Sequence, residues 1–252
     1  LTHGLLFESS PRHPGGARRQ CREAPPQPLG AMVNYTNNHD QCGNRAFGER
    51  LRRLAPPGAG ALALLLSLLT PATPMLFFGD EFGDHTPFLY FADWQGDLGD
   101  AVRAGRQREF GHMAGPADGM ELPDPCDAAT FEASRPDPAA ARSAEGRRAL
   151  ERVRAALAVR RAHIAPRQHL LLTGQHTAQR VADTGIRVCW RYQDGMQLLL
   201  ELNLGAQPLH VAHEVQRLDD AQELFRHAWP VGTDADIWPA WAARWTLGRS
   251  SP

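Results

Sequence analysis

The chain has 252 residues, 42% hydrophobic and 22% charged, which is ordinary globular composition and length enough for one large domain or two modest ones. Its formal net charge of -1 offers no electrostatic footprint for nucleic acid or an anionic membrane, so neither is expected as a partner. All 27 basic residues are arginine, and the lack of lysine excludes a P-loop lysine, a Schiff-base lysine and a Ser-Lys dyad.

Cys21, Cys42, Cys126 and Cys189 show no CxxC or CxxxC spacing, which argues against a zinc cluster or a disulfide framework and fits reduced thiols in a cytoplasm. No run approaches the roughly 20 apolar residues of a spanning helix. The start has no charged stretch leading into an apolar one. Because the first residue is Leu1, we expect a start inside a longer reading frame, that is, a fragment.

In chain order, residues 1–30 carry Pro11, Pro14, Pro25, Pro26, Pro28 and Gly15-Gly16, too much punctuation for more than a short strand near Leu5–Phe7. A strand is expected over 31–36. It empties into the polar cluster Asn37-Asn38-His39-Asp40-Gln41, the way a strand delivers side chains to one end of a sheet or barrel. Glu49–Arg53 reads as a helical turn stopped by Pro56-Pro57, and Gly60–Leu69 as a helix apolar on every side, as befits burial between layers. Pro74–Phe78, closed by Gly79-Asp80-Glu81, has the continuous apolar character of a strand covered on both faces. Strand, helix and strand make a βαβ unit, which would gather His39, Asp40, Asp80 and Glu81 near one rim.

Thr86–Trp94 reads as an aromatic-rich loop, Leu98–Phe110 as a helix, and 111–142 as loop. Ser143 is expected to cap a helix whose apolar stripe is Leu150, Val153, Leu157 and Ile164, ending by Pro166. Beyond it the period changes to two. Ile186, Val188, Trp190 and Tyr192 alternate with Arg187, Cys189 and Arg191, then Asp194-Gly195 signals a type I′ turn, and Met196, Leu198, Leu200, Leu202 and Leu204 return. With apolar pieces at 170–173, 209–211 and 245–247, residues 168–252 read as a small antiparallel β domain.

Asn38-His39-Asp40-Gln41-Cys42-Gly43-Asn44-Arg45-Ala46-Phe47-Gly48-Glu49-Arg50-Leu51 resembles the α-amylase superfamily of glycoside hydrolases at the segment holding its His-Asp pair. Gln41, Gly43–Ala46, 74–83 and 86–94 are most similar to the malto-oligosyltrehalose trehalohydrolase family within it. The resemblance implies an α/β plus all-β chain. Residues 1–166 would supply the last two β/α units of a (β/α)8 TIM barrel, and residues 167–252 a C-terminal antiparallel β domain. It also implies a retaining glycosidase that cleaves the α-1,4 bond next to the terminal trehalose of a maltooligosyl trehalose, an α-glucan substrate, with no cofactor.

By the same resemblance Asp40 is the transition-state stabiliser, with His39 beside it. His39, Asp40, Gln41, Cys42, Gly43 and Asn44 are the substrate-binding residues. Segments for the nucleophile and the acid/base are not found, so the chain alone is expected to be inactive. On spacing alone, Asp40 and His39 also read as a strand-end carboxylate capping a turn beside a satisfied histidine. Asp80 and Glu81 read better as capping or loop-anchoring groups than as a second catalytic pair. Of Phe88, Tyr90, Phe91 and Trp94, one is expected to stack on a sugar. None of the eleven histidines shows HExxH spacing, so no metal is expected. The rival readings are a branching enzyme of the same superfamily and a non-catalytic glucan-binding module. Oligomeric state is not legible.

Overall fold

The strand expected over 31–36 is shorter in the computed structural model, which describes residues 27–113, 121–211, 218–233 and 236–250. A 3-10 turn, Leu29–Ala31, precedes β1 (Val33–Asn34). After α1 (His39–Gly43), α2 (Leu51–Leu54) and α3 (Ala59–Leu69), the chain returns as β2 (Thr73–Pro74), parallel to β1 with Val33 opposite Thr73 and Asn34 opposite Pro74. The parallel sense agrees with the βαβ reading. The expected strand over 74–78 is corrected to these two residues: Pro74 has no N–H to extend the ladder, and Met75 and Phe78 are exposed. The strand expected near residues 5–7, like Cys21, lies outside the described residues.

Leu62, Leu65, Leu68 and Leu69 of α3 are buried, as its apolar composition requires. The carbonyls at its C-terminal end need partners. Arg160 supplies them, donating to the oxygens of Leu68, Thr70 and Ala72 at 3.0, 2.6 and 2.8 Å.

Next come α4 (Gly96–Phe110), α5 (Ala128–Ala133), α6 (Pro138–Arg142) and α7 (Ala144–Val159). The segment expected to be loop over 111–142 therefore contains two short helices. Each is started by an aspartate whose carboxylate accepts a backbone N–H at 2.8 Å, Asp127 from Ala129 and Asp137 from Ala139, and Pro138 fits the first turn of α6. Ser143 caps α7 as expected, its Oγ accepting from Gly146 N at 2.9 Å. The helix does not stop cleanly at Pro166. It widens into a π-turn over Arg160–Ile164 and tightens into a 3-10 segment, Ala165–Leu170, with Pro166 in its first turn.

The remaining strands are β3 (Thr177–Arg180), β4 (Gly185–Arg191), β5 (Met196–Asn203), β6 (Leu209–His210), β7 (Leu218–His227), β8 (Ile237–Trp238) and β9 (Ala242–Ser250). They form an antiparallel sheet in the order β3-β4-β5-β9-β7 and a separate β6-β8 pair. The β4–β5 hairpin is where the alternation puts it, with Val188 opposite Leu200 and Trp190 opposite Leu198. Its turn is not type I′. Tyr192 N donates to Met196 O, leaving a three-residue loop in which Gly195 has φ 76° while Asp194 has no positive φ. Asp194 instead accepts from Met196 N through its carboxylate at 3.1 Å. Residues 170–173 contribute one bridge, Leu171 to Tyr192.

Two compact units divide the described residues. One gathers the described parts of Leu1–Asn34, Leu65–Pro74 and Ala156–Pro252, and the other Tyr35–Leu64 and the described parts of Met75–Ala155. No described helix is long and apolar enough to cross a membrane.

Candidate active site

All the singled-out residues from 37 to 51 and from 77 to 94 lie in the second unit. Asn38 sits in extended backbone (φ -148°, ψ 178°) and its side-chain oxygen accepts Gln41 N at 2.7 Å, which starts α1. This is the capping role asparagine performs well, because its oxygen satisfies an N–H that the first helical turn leaves free. His39 and Asp40 thus occupy the first two helical positions. Both side chains are exposed, 72% and 70%, with His39 Nε2 3.4 Å from Asp40 Oδ1. A carboxylate so placed is accessible to a solute.

Gln41 and Asn44 are also exposed, whereas Cys42 and Gly43 are buried. Cys42 points inward, 0% exposed, its Sγ 3.9 Å from Asn37 Oδ1, and burial pushes its thiol pKa up. Gly43 backs onto the Tyr90 backbone. The six residues therefore split: four face solvent, and two shape the turn from beneath.

What holds this turn is a buried polar cluster that sequence reasoning did not assemble. Asn37 is 4% exposed, and its Nδ2 donates to Asp80 Oδ1 at 2.9 Å while its Oδ1 accepts Leu51 N at 2.9 Å. Arg50, 1% exposed, pairs with Asp80 Oδ1 at 3.3 Å and donates to the backbone oxygens of Thr86 and Phe78, both at 2.8 Å. Its guanidinium also lies 5.1 and 5.4 Å from the ring centroids of Phe77 and Phe78, close enough for cation–π attraction. Asp80 is pulled both ways. Burial pushes its carboxyl pKa up, Arg50 and Asn37 pull it down, and burial prevails.

Glu81 is half-buried and takes no described part in the cluster. Asp80 anchors the 74–83 loop to the turn, as the sequence suggested. Gly48 closes the far side. With φ 63° its amide oxygen accepts Phe88 N at 2.9 Å, and a side chain there would meet Phe88 O at 2.5 Å, so the close backbone approach requires glycine. The aromatic loop is stitched by edge contacts running from Phe77 and Phe78 to Phe88, then Phe91, then Phe131, at 5.2–5.5 Å between centroids. Trp94, 51% exposed, takes part in none of these ring contacts. Among the described residues no group of three His, Cys, Asp or Glu could hold a metal ion.

Comparison with known proteins shows what the chain is similar to. No family model matches the chain. Over 132 residues, 52% of this chain, it is 44% identical to the malto-oligosyltrehalose trehalohydrolase of Rhizobium sp. (strain M-11), covering 22% of that protein. The curated relatives it matches are malto-oligosyltrehalose trehalohydrolases. A trehalohydrolase of Mycobacterium tuberculosis is 34% identical over 185 residues, 72% of this chain and 30% of the relative. The chain therefore spans less than a third of the length of the trehalohydrolases it matches, 22% and 30% of these two. Among solved structures, a Salmonella typhimurium protein assigned to the alpha amylases aligns over 93% of this chain and 38% of its own, with TM-score 0.80 and 33% identity. A trehalulose synthase at 15% identity and TM-score 0.51 shares the fold alone.

Proposed function

We propose that this chain carries the late segment of a retaining glycoside hydrolase that cleaves the α-1,4-glucosidic bond next to the terminal trehalose of a maltooligosyl trehalose. The reading assigns residues 1–166 to the last two β/α units of a (β/α)8 barrel and 167–252 to the C-terminal antiparallel β domain. In support, the described elements change from helices and a parallel strand pair to antiparallel strands after the 3-10 segment at Ala165–Leu170.

Asp40 is the transition-state stabiliser in this account. The observation that carries it is the exposed Asp40 carboxylate, fixed beside His39 at the start of a helix whose cap and underside are bonded, in a chain similar to trehalohydrolases. A carboxylate held there accepts hydrogen bonds from sugar hydroxyls. It contributes to rate to the extent that these bonds strengthen as the ring flattens toward an oxocarbenium ion. Gln41 and Asn44 reach the substrate from the same turn, while Cys42 and Gly43 set its shape.

The nucleophile and the acid/base belong to segments that we do not find in these residues, so the chain by itself is inactive. Incubating the purified chain and its Asp40→Asn variant with maltotriosyl trehalose should release no trehalose from either. Release by the chain that the variant loses would sink that part of the reading and place acid and nucleophile among its own carboxylates.

A further inference from the structure

Three polar atoms beside the Asn37–Asp80 bond are buried without a hydrogen-bond partner: Asp80 Oδ2, Asp84 Oδ2 and Arg50 Nη2. Their residues are 8%, 2% and 1% exposed. Each such atom loses its hydration on folding and gains nothing in return unless a partner reaches it. Asp80 and Asp84 both line a cavity of about 20 Å³, together with Thr36, Asn37, Arg52 and Gly83, which is room for about one water. On the neighbouring side, a β-carbon built on Gly79 would lie 3.0 Å from Asp84 Oδ2 and 3.4 Å from Arg50 Nη2. One point beside Gly79 thus lies within 3.4 Å of both atoms, which keeps them close enough for a single water to bridge.

The donor and acceptor types choose the occupant. A cation would satisfy the two carboxylate oxygens. It would also sit against the Arg50 guanidinium, with a second guanidinium, Arg52, in the wall, and it would find far fewer free oxygens than a hard cation demands. A water suits all three atoms, since it has two protons to donate and lone pairs to accept with.

We propose that this pocket binds one internal water, which donates to Asp80 Oδ2 and Asp84 Oδ2 and accepts from Arg50 Nη2. The water completes a closed circuit. Asp80 Oδ1 receives Asn37 and Arg50, Asp84 Oδ1 receives Thr86 N at 2.9 Å, and Arg50 Nε reaches Thr86 O. Bridging the remaining atoms locks the 79–86 loop to the turn that bears His39 and Asp40. The inference stands on the cluster itself and is independent of the catalytic assignment.

The test is a high-resolution crystal structure of the full chain grown in sodium salts, repeated after exchange into rubidium chloride with anomalous data. We expect one density peak within hydrogen-bond distance of Asp80 Oδ2, Asp84 Oδ2 and Arg50 Nη2, and no anomalous signal there in rubidium. Rubidium signal at the site would replace the water with a monovalent cation and overturn the proposal. So would an empty pocket, or Arg50 Nη2 bonded directly to Asp84.

Discussion

At the scale of single residues, Asp80 is the buried carboxyl beneath the candidate site. Its carboxyl is buried against Arg50 and Asn37, and burial leaves its pKa above the ordinary 3.8. A raised acid binds protons more readily folded than unfolded, so its contribution to stability is fully present below about pH 3.8 and is lost as pH rises through the folded value. Asp80→Asn keeps an acceptor for Asn37 and removes the titration. We predict that the stability of the wild type relative to this variant increases as pH is lowered from 7 toward 4, as measured by urea unfolding at several pH values. A pH-independent difference would contradict the assignment. The His39–Asp40 pair stood out as a polar cluster after a short apolar run, and its assignment came from the resemblance of residues 38–51. Arg50 and Asp80 were not legible as partners, because Asp80 meets Asn37 across 43 residues of chain and Arg50 across 30, and no local pattern reports such a meeting.

At the scale of elements, the β4–β5 hairpin shows where alternation informs and where it misleads. The alternation sets Ile186, Val188, Trp190 and Tyr192 on one face and Arg187, Cys189 and Arg191 on the other. In the structure Arg187 and Cys189 are buried too. Leu218, at the start of β7, packs with Cys189 and Leu199, and Glu201 sits between Arg187 Nη2 and Arg244 Nε, each at 3.1 Å. β7 escaped the sequence reading because Leu218-Asp219-Asp220-Ala221-Gln222-Glu223 is polar and its pairing with β9 is interrupted by bulges, which break a period of two. Short helices α5 and α6 escaped for a different reason: five or six residues leave no room for a helical stripe, and only the capping aspartates announce them.

Glu201 is 2% exposed, so removing its charge takes away the buried carboxylate that Arg187 and Arg244 share. Breaking a buried pair in this way costs about 3–5 kcal/mol. We expect Glu201→Gln to lose a stability of that order by chemical denaturation, and the triple replacement Arg187→Met, Glu201→Leu, Arg244→Met to recover most of it. A loss below about 1 kcal/mol, the worth of an exposed pair, would show that the sheet does not rely on this ion triad.

At the scale of the whole molecule, the chain supplies a carboxylate on a firmly held turn and an antiparallel sheet, and it spans under a third of the trehalohydrolases it resembles. The central claim is that Asp40 performs transition-state stabilisation for α-glucan hydrolysis. The most direct measurement replaces the segment of the Mycobacterium tuberculosis trehalohydrolase that aligns with this chain, 185 residues long, by the corresponding residues of this chain. Trehalose release from maltotriosyl trehalose is then followed for the chimera and its Asp40→Asn variant. Losing one preorganised electrostatic contact typically lowers kcat by about 10²–10³, and the account predicts a fall at least that large with folding intact by circular dichroism. An active chimera whose Asp40→Asn variant retains its kcat would contradict it.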